Sequence, residues 1–193
     1  MTALRPAVFL DRDGVINKET DYVYKVDEFH FIEGVFAACR EMSASGYRLI
    51  VITNQAGIAR GYYTEADFHQ LTKWMLETFR QQDVEIDGVY YCPHHPVHGV
   101  GDYRCDCDCR KPAPGMILRA ANEHSLDLQR SILIGDKVSD IEAGRAAGVG
   151  CNALVLTGHS VSDQDQDKAD AVFDNLPGVS SALVNDQLCA GKK

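Results

Sequence analysis

Asp11 and Asp13 stand two residues apart at the end of an apolar run, Ala7-Val8-Phe9-Leu10, in the stretch Asp11-Arg12-Asp13-Gly14-Val15. Two carboxylates so close on an extended-to-turn backbone can face one pocket, and they need a cation if both are to stay ionised. Mg²⁺ suits such an all-oxygen site and retains positions for water and phosphate oxygens. An isolated Asp-x-Asp is more simply a solvated acidic turn. Here it keeps company with Thr53-Asn54 closing the next apolar run, Arg110-Lys111-Pro112 ahead of a helical segment, and Gly135-Asp136-Lys137 with Asp140 closing a later run. A second group is richer in soft ligands. Cys92, Cys105, Cys107 and Cys109 fall within 18 residues, beside His94, His95 and His98. Cys92-Pro93-His94 and Cys107-Asp108-Cys109 have the short spacing of a closed four-ligand zinc site, although any two of the three alternating cysteines could supply the second pair and His95 or His98 could replace His94.

These residues need elements to hold them. Gly34 to Ser45 reads as a helix closed by Gly46, and Arg48 to Asn54 as a strand. Thr64 caps a long helix to about Gln82, with Phe68, Leu71, Met75 and Phe79 on one face. Gly88–Tyr91 and Ser131–Asp136 read as strands, with a helix from about Pro114 between them. Val138–Ala147 reads as a helix closed by Gly148, Ala153–Leu156 as a strand, Ala171–Phe173 as an edge strand and Gly178–Val184 as a last helix. Ser160–Lys168 reads as an exposed loop. Strands apolar throughout and separated by helices predict an α/β fold: a doubly wound, mostly parallel Rossmann-like sheet with helices on both faces. Ligands of such sheets bind beyond the carboxyl ends of the strands, where Asp11, Thr53-Asn54, Cys92 and Asp136 fall.

The chain has 193 residues, 45% hydrophobic and 24% charged, which predicts one domain over 1–193 rather than disorder. Lys plus Arg number 19 against 28 Asp plus Glu, a net charge of −9 that disfavours nucleic acid and anionic membranes as partners. No apolar stretch is long enough to span a bilayer, and the N-terminal residues lack a signal-peptide core, so a cytoplasmic protein is expected. The seven cysteines are an odd count. Without a secretory signal they argue for metal rather than a disulfide framework, leaving Cys39, Cys151 and Cys189 as small hydrophobes.

The four motifs, in this order and at these strand ends, resemble the haloacid dehalogenase-like phosphohydrolase superfamily over essentially the whole chain. The resemblance implies that Asp11 is the nucleophile forming an aspartyl-phosphate. It makes Asp13 the acid and then the base, with a raised pKa. Thr53 and Lys111 would bind and neutralise the phosphoryl group. Mg²⁺ would lie on Asp11, the Asp13 backbone carbonyl and Asp136, with Asp140 in support. The Cys-x-His and Cys-x-Cys pairs narrow the resemblance to the small-molecule phosphatases acting on heptose bisphosphate or histidinol phosphate. That pattern selects Cys92, His94, Cys107 and Cys109 for a structural Zn²⁺ and leaves Cys105 as an extra thiol. It also places Glu19, Thr20, Asp21, Tyr22, Asn54, Gln55, Ala56, Arg110 and Lys137 around the substrate. Among the other cations near strand ends, Arg12 and Arg60 included, ordinary surface charge is slightly preferred for Arg60.

Tyr90-Tyr91-Cys92-Pro93-His94-His95-Pro96 and Asn54–Gly61 favour the heptose branch. It implies removal of the C7 phosphate of D-glycero-D-manno-heptose 1,7-bisphosphate, leaving heptose 1-phosphate for the nucleotide-activated heptose of lipopolysaccharide core. Histidinol-phosphate hydrolysis in histidine biosynthesis is the alternative within the enzyme class, and a zinc-dependent binding module the one outside it. No separate cap domain is expected, only the zinc loop, about 92–109, walling an open pocket. A small sugar phosphate is the expected partner and a monomer the expected state, with the anomer at C1 left open.

Overall fold

The computed structural model describes residues 4–189. The elements run β1 (Ala7–Leu10), α1 (Val35–Ala44), β2 (Arg48–Asn54), α2 (Ala56–Ala59), α3 (Glu65–Gln81), β3 (Gly88–Cys92), α4 (Gly115–His124), β4 (Ile132–Gly135), α5 (Val138–Ala147), β5 (Cys151–Val155), α6 (Asp163–Gln166), β6 (Ala171–Phe173) and α7 (Leu176–Val184). All six strands pair in parallel, in the order β3-β2-β1-β4-β5-β6. Winding runs outward from β1 to β3, then restarts on the other side of β1 with β4. The crevice above the carboxyl ends of β1 and β4 is the switch point where such sheets bind ligands.

Period-two alternation sends successive side chains to opposite faces. Val8 and Leu10 of β1 pack with Leu49 and Val51 of β2 beneath α1, α3 and α7. Ala7 and Phe9 pack with Ile50, Ile52 and Leu133 beneath α4 and α5. Both faces are therefore covered, as continuous apolar strands require. On α3, Phe68, Leu71, Met75 and Phe79 are the buried residues, and Thr64 and Asp67 form a reciprocal capping box: Asp67 N donates to Thr64 Oγ1 and Thr64 N to Asp67 Oδ2. Gly46 and Gly148, the residues expected to close two helices, have φ of 92° and 82°.

Several boundaries differ from expectation. α2 goes unanticipated, since four residues carry too little periodicity to register. The loop at 160–168 contains the single turn α6, capped by Ser162. α7 starts before Gly178, because Asn175 caps it and Pro177 fits its first turn. β5 begins at Cys151 rather than Ala153, its Asn152 buried and held to Val149 O and Asp170. Cys151 and Cys189 are joined by a disulfide, which corrects their reading as separate small hydrophobes. The chain leaving α7 returns to the start of β5, a proximity of residues 38 apart that spacing does not reveal. Among the described residues no helix is long and apolar enough to cross a membrane.

Candidate active site

Asp11 leaves β1 directly into the crevice and is almost buried, 6% exposed. Its Oδ1 accepts the Arg12 backbone N–H at 2.7 Å and lies 2.9 Å from Lys111 Nζ. Lys111, equally buried, also lies 2.6 Å from Asp140 Oδ1 and donates to Ile52 O at 3.0 Å. Asn54 locks the lysine's backbone, accepting from Lys111 N at 3.0 Å and donating to Lys111 O at 3.1 Å. The end of β2 and the Arg-Lys-Pro segment are thereby joined across 57 residues. Burial pushes the Asp11 carboxyl up to about 6; Lys111 pulls it down and Asp140 pushes it up again. For Lys111 burial works against the charge, but Asp11 and Asp140 together hold its pKa above the ordinary lysine value.

Asp13 departs from expectation. Burial raises its pKa, yet the Arg12 charge and hydrogen bonds from Arg12, Asn17 and Gln55 outweigh it, leaving the carboxyl below its ordinary value rather than above. The geometry explains why. Arg12 folds inward, 2% exposed, with Nη2 2.9 Å from both Asp13 oxygens. Asn17 Nδ2 donates to Oδ1 at 3.0 Å and Gln55 Nε2 to Oδ2 at 3.1 Å. An ion pair between sequence neighbours is a conformational matter that no motif encodes.

The acidic cluster that could hold a cation comprises Asp11, Asp136 and Asp140, with carboxylate oxygens within 4.8 Å of one another. The Asp13 carboxylate is not part of it. Asp136 is fully buried; its Oδ2 accepts from His159 N at 2.9 Å and lies 2.7 Å from His159 Nδ1, while Oδ1 has no partner in the protein. An orphaned buried carboxylate oxygen among hard oxygen donors is what a Mg²⁺ site offers. Backbone approach preserves that space: a Cβ on Gly158 would lie 2.1 Å from Asp136 Oδ2, and one on Gly14, at φ 89°, 2.5 Å from it. Asp140 Oδ2 accepts from Lys137 N at 3.0 Å, fixing the start of α5.

Two adjoining hollows open onto these groups. The inner, about 50 Å³, is lined by Asp11, Asp13, Thr53, Lys111 and Asp140, among others. The outer, about 480 Å³, is lined by Asp13, Glu19, Asp21, Tyr22, Asn54, Gln55, Ala56, Arg110 and Lys137 together with Arg60, Tyr63, His95 and His159. Thr20 is exposed and lines neither. Thr53 accepts from Gln55 Nε2 at 2.8 Å, and Gln55 accepts from Tyr63, which stacks on Tyr24. A larger hollow of about 700 Å³ beside β3 and α4 touches His94 and Cys109 but not Asp11, Asp13, Asp136 or Asp140.

Four soft donors gather in the loop after β3. Cys92 Sγ lies 3.5 Å from Cys107 Sγ and 3.8 Å from His94 Nδ1; Cys109 Sγ lies 3.3 Å from Cys107 Sγ and 3.5 Å from His94 Nδ1. A tetrahedral zinc with about 2.3 Å bonds to sulfur separates its ligands by about 3.5–3.8 Å, so the cluster fits such an ion. Cys105 stands outside it. Burial pushes the Cys92 thiol up and the Cys109 thiol up to about 11, protons that a bound cation displaces. Glu65, the first residue of α3, accepts from Tyr91 and from Tyr103, the latter at 2.7 Å, and Val100 N donates to Ala59 O at 2.8 Å. These contacts dock the loop against α2 and α3. Arg110 Nη1 donates to His94 O at 3.2 Å, so the cluster is linked to the outer hollow.

His159, Arg60 and Tyr63 line the outer hollow although none belongs to the four strand-end motifs. His159 follows β5, and the strand-end rule that selects Asp11 and Asp136 would have selected Thr157-Gly158-His159 too. Arg60 is corrected from surface charge to a wall of the cavity.

A HAD-hydrolase-like family model matches residues 108–179. The D-glycero-beta-D-manno-heptose-1,7-bisphosphate 7-phosphatase of Salmonella typhi is 47% identical over 182 residues, covering 94% of this chain and 97% of its own. The enzyme of the same name from Haemophilus influenzae is 50% identical over 173 residues, 90% of this chain and 94% of its own. The crystal structure of D,D-heptose 1,7-bisphosphate phosphatase from B. bronchiseptica, complexed with magnesium and phosphate, superposes with a TM-score of 0.78 at 29% identity, covering 94% of this chain and 99% of that one. With strand-end aspartates, a buried lysine and a soft-ligand loop arranged as described, the chain belongs to the D-glycero-beta-D-manno-heptose-1,7-bisphosphate 7-phosphatase family of HAD-like hydrolases.

Proposed function

We propose that the protein hydrolyses the C7 phosphate of D-glycero-beta-D-manno-heptose 1,7-bisphosphate to heptose 1-phosphate, supplying the heptose of lipopolysaccharide core from the cytoplasm as a monomer. The observation that carries this reading is the 47% identity, over 94% of the chain, to a relative of that name, in a chain whose Asp11, Asp13, Thr53, Lys111 and Asp140 line one cavity. The relatives' name also supports the β anomer, which the sequence leaves open.

Asp11 is the nucleophile: one carboxylate oxygen forms a bond to phosphorus as the bond from phosphorus to the C7 oxygen breaks. Lys111, held against Asp11, reduces the repulsion between carboxylate and phosphate, and Thr53 donates to a phosphoryl oxygen. Asp13 gives a proton to the departing C7 oxygen, then takes one from the water that attacks the aspartyl-phosphate and regenerates Asp11. The resting ion pair with Arg12 suits the second task, so proton donation requires the Asp13 side chain to leave Arg12. Asp11 and Asp136, with Asp140 and the Asp13 backbone carbonyl, are the residues that would hold Mg²⁺, which supplies neutralisation of phosphoryl charge when bound. Cys92, His94, Cys107 and Cys109 are the ligands we assign to Zn²⁺, a closed set that shapes the pocket wall rather than joining the chemistry. Glu19, Asp21, Tyr22, Asn54, Gln55, Ala56 and Lys137 surround the sugar, and Thr20, which lines neither hollow, is left out of that set.

Phosphorus NMR of the product tests the assignment. Retention of the anomeric phosphate and loss of the C7 signal is expected; loss of the anomeric phosphate instead would refute it.

A further inference from the structure

Five cations line the outer hollow, in a chain of net charge −9. Three of them are spoken for by protein carboxylates. Arg12 is paired with Asp13, Lys111 with Asp11 and Asp140, and Lys137 lies 3.9 Å from Glu19. Among the described residues Arg60 and Arg110 have no such partner. Arg110 gives one N–H to the His94 carbonyl and keeps the rest of its fork. Arg60 follows α2, and its Nε is buried without any hydrogen-bond partner. A buried, unpaired guanidinium nitrogen on a cavity wall is costly unless an anion arrives to accept from it.

The surroundings hold Arg60 in that position. Its guanidinium lies over the Tyr22 ring, 6.0 Å from the centroid, and Tyr22 meets Tyr62 edge-on at 4.8 Å. Asp21 and Tyr22 both take left-handed backbone, φ 61° and 55°, an uncommon conformation in two successive non-glycine residues. Backbone strain of this kind persists where the surroundings enforce it, and it concentrates at ligand clamps. The hydrogen bond from Val100 N to Ala59 O sets the soft-ligand loop, and hence Arg110, beside the end of α2. Asp21 lines the same hollow and repels an anion, so it is better matched to sugar hydroxyls.

We infer that Arg60, aligned by Tyr22, joins Arg110 in binding the phosphate that is not cleaved, and so sets the preference for a bisphosphate over a monophosphate. The inference rests on the substrate reading above and extends it to a residue that reading does not use. A planar fork from each arginine gives charge-assisted bonds to one phosphate without disturbing the reacting end.

The test is calorimetric binding of heptose 1,7-bisphosphate and heptose 7-phosphate to the full chain carrying Asp11→Asn, with and without Arg60→Gln. Loss of one charged contact should weaken bisphosphate binding by about tenfold or more. The monophosphate should be affected distinctly less, so the ratio of the two affinities falls. Arg60→Lys, which keeps the charge but loses the fork, should recover part of that ratio, and the melting midpoint of each variant establishes that it is folded. In steady state without the Asp11 change, the defect should lie in KM for the bisphosphate more than in kcat. Equal weakening of both ligands by Arg60→Gln would overturn the proposal, since a purely structural arginine acts that way. If the parent protein bound neither heptose phosphate, the substrate reading would fall and take this proposal with it, an outcome visible before any Arg60 variant is made.

Discussion

At Asp11 burial and a buried lysine act in opposite senses, and burial is the larger. Burial pushes the carboxyl, ordinarily at 3.8, up to about 6. Between those values the native state binds more protons than the unfolded one, so this group's contribution to stability is present at low pH and lost as pH rises through about 6. The expected loss between pH 4.5 and 7 is roughly 2 kcal/mol. Unfolding free energies of chelated protein from pH 4.5 to 7, compared with Asp11→Asn, measure it; parallel pH profiles would be the contrary result. Asp11→Asn should also lower turnover by about a thousandfold or more while leaving circular dichroism unchanged. Arg12 behaves as an internal counter-ion to Asp13. Arg12→Met strands the Asp13 carboxylate inside the protein and should cost about 3–5 kcal/mol in denaturant unfolding. Retained stability would show that the pair is dispensable.

Elements convert these residues into a site by bringing their ends together. β1, β2 and β4 end side by side, so that Asp11 and Thr53 line one crevice and Asp136 falls beside Asp11 and Asp140. That much was legible, because apolar runs ending in polar residues declare both the parallel sheet and its functional edge. The Phe68-Leu71-Met75-Phe79 stripe and the two closing glycines were legible for the same local reason. What depends on side-chain torsion was not. The inward turn of Arg12 onto its neighbour Asp13 is a matter of side-chain torsion, and the contact of His159 with Asp136 and the seating of Arg60 on Tyr22 join segments whose spacing carries no signal. Single-turn α2 and α6 were missed because they lack a period. The tight backbone around Asp136 makes its own prediction: Gly158→Ala forces Asp136 or its loop to move and should weaken Mg²⁺ activation by about 10–100-fold, read from a metal titration of activity. An unchanged titration would mean that Asp136 is not held by that contact.

Across the whole molecule, one covalent tie among the described residues and a net negative charge act on the fold. The Cys151–Cys189 disulfide anchors the end of the chain to β5 across 38 residues, a closure worth at most about 4 kcal/mol. Cys189→Ser, or reductant, should therefore lower the melting midpoint by several degrees while leaving phosphate release intact, because Cys151 opens β5, at the edge of the sheet opposite the carboxyl-end crevice. In a reducing cytoplasm the pair would be held as thiols. The net charge of −9 leaves the local cations of the crevice as the attraction for an anionic sugar. The most direct test of the central claim is phosphate release from β-heptose 1,7-bisphosphate and from histidinol phosphate, side by side, with and without Mg²⁺. Release of one phosphate per bisphosphate molecule, dependent on Mg²⁺ and with kcat/KM about a hundredfold above that for histidinol phosphate, is the predicted result. Equal or faster release from histidinol phosphate, or release from the bisphosphate that ignores Mg²⁺, would contradict it.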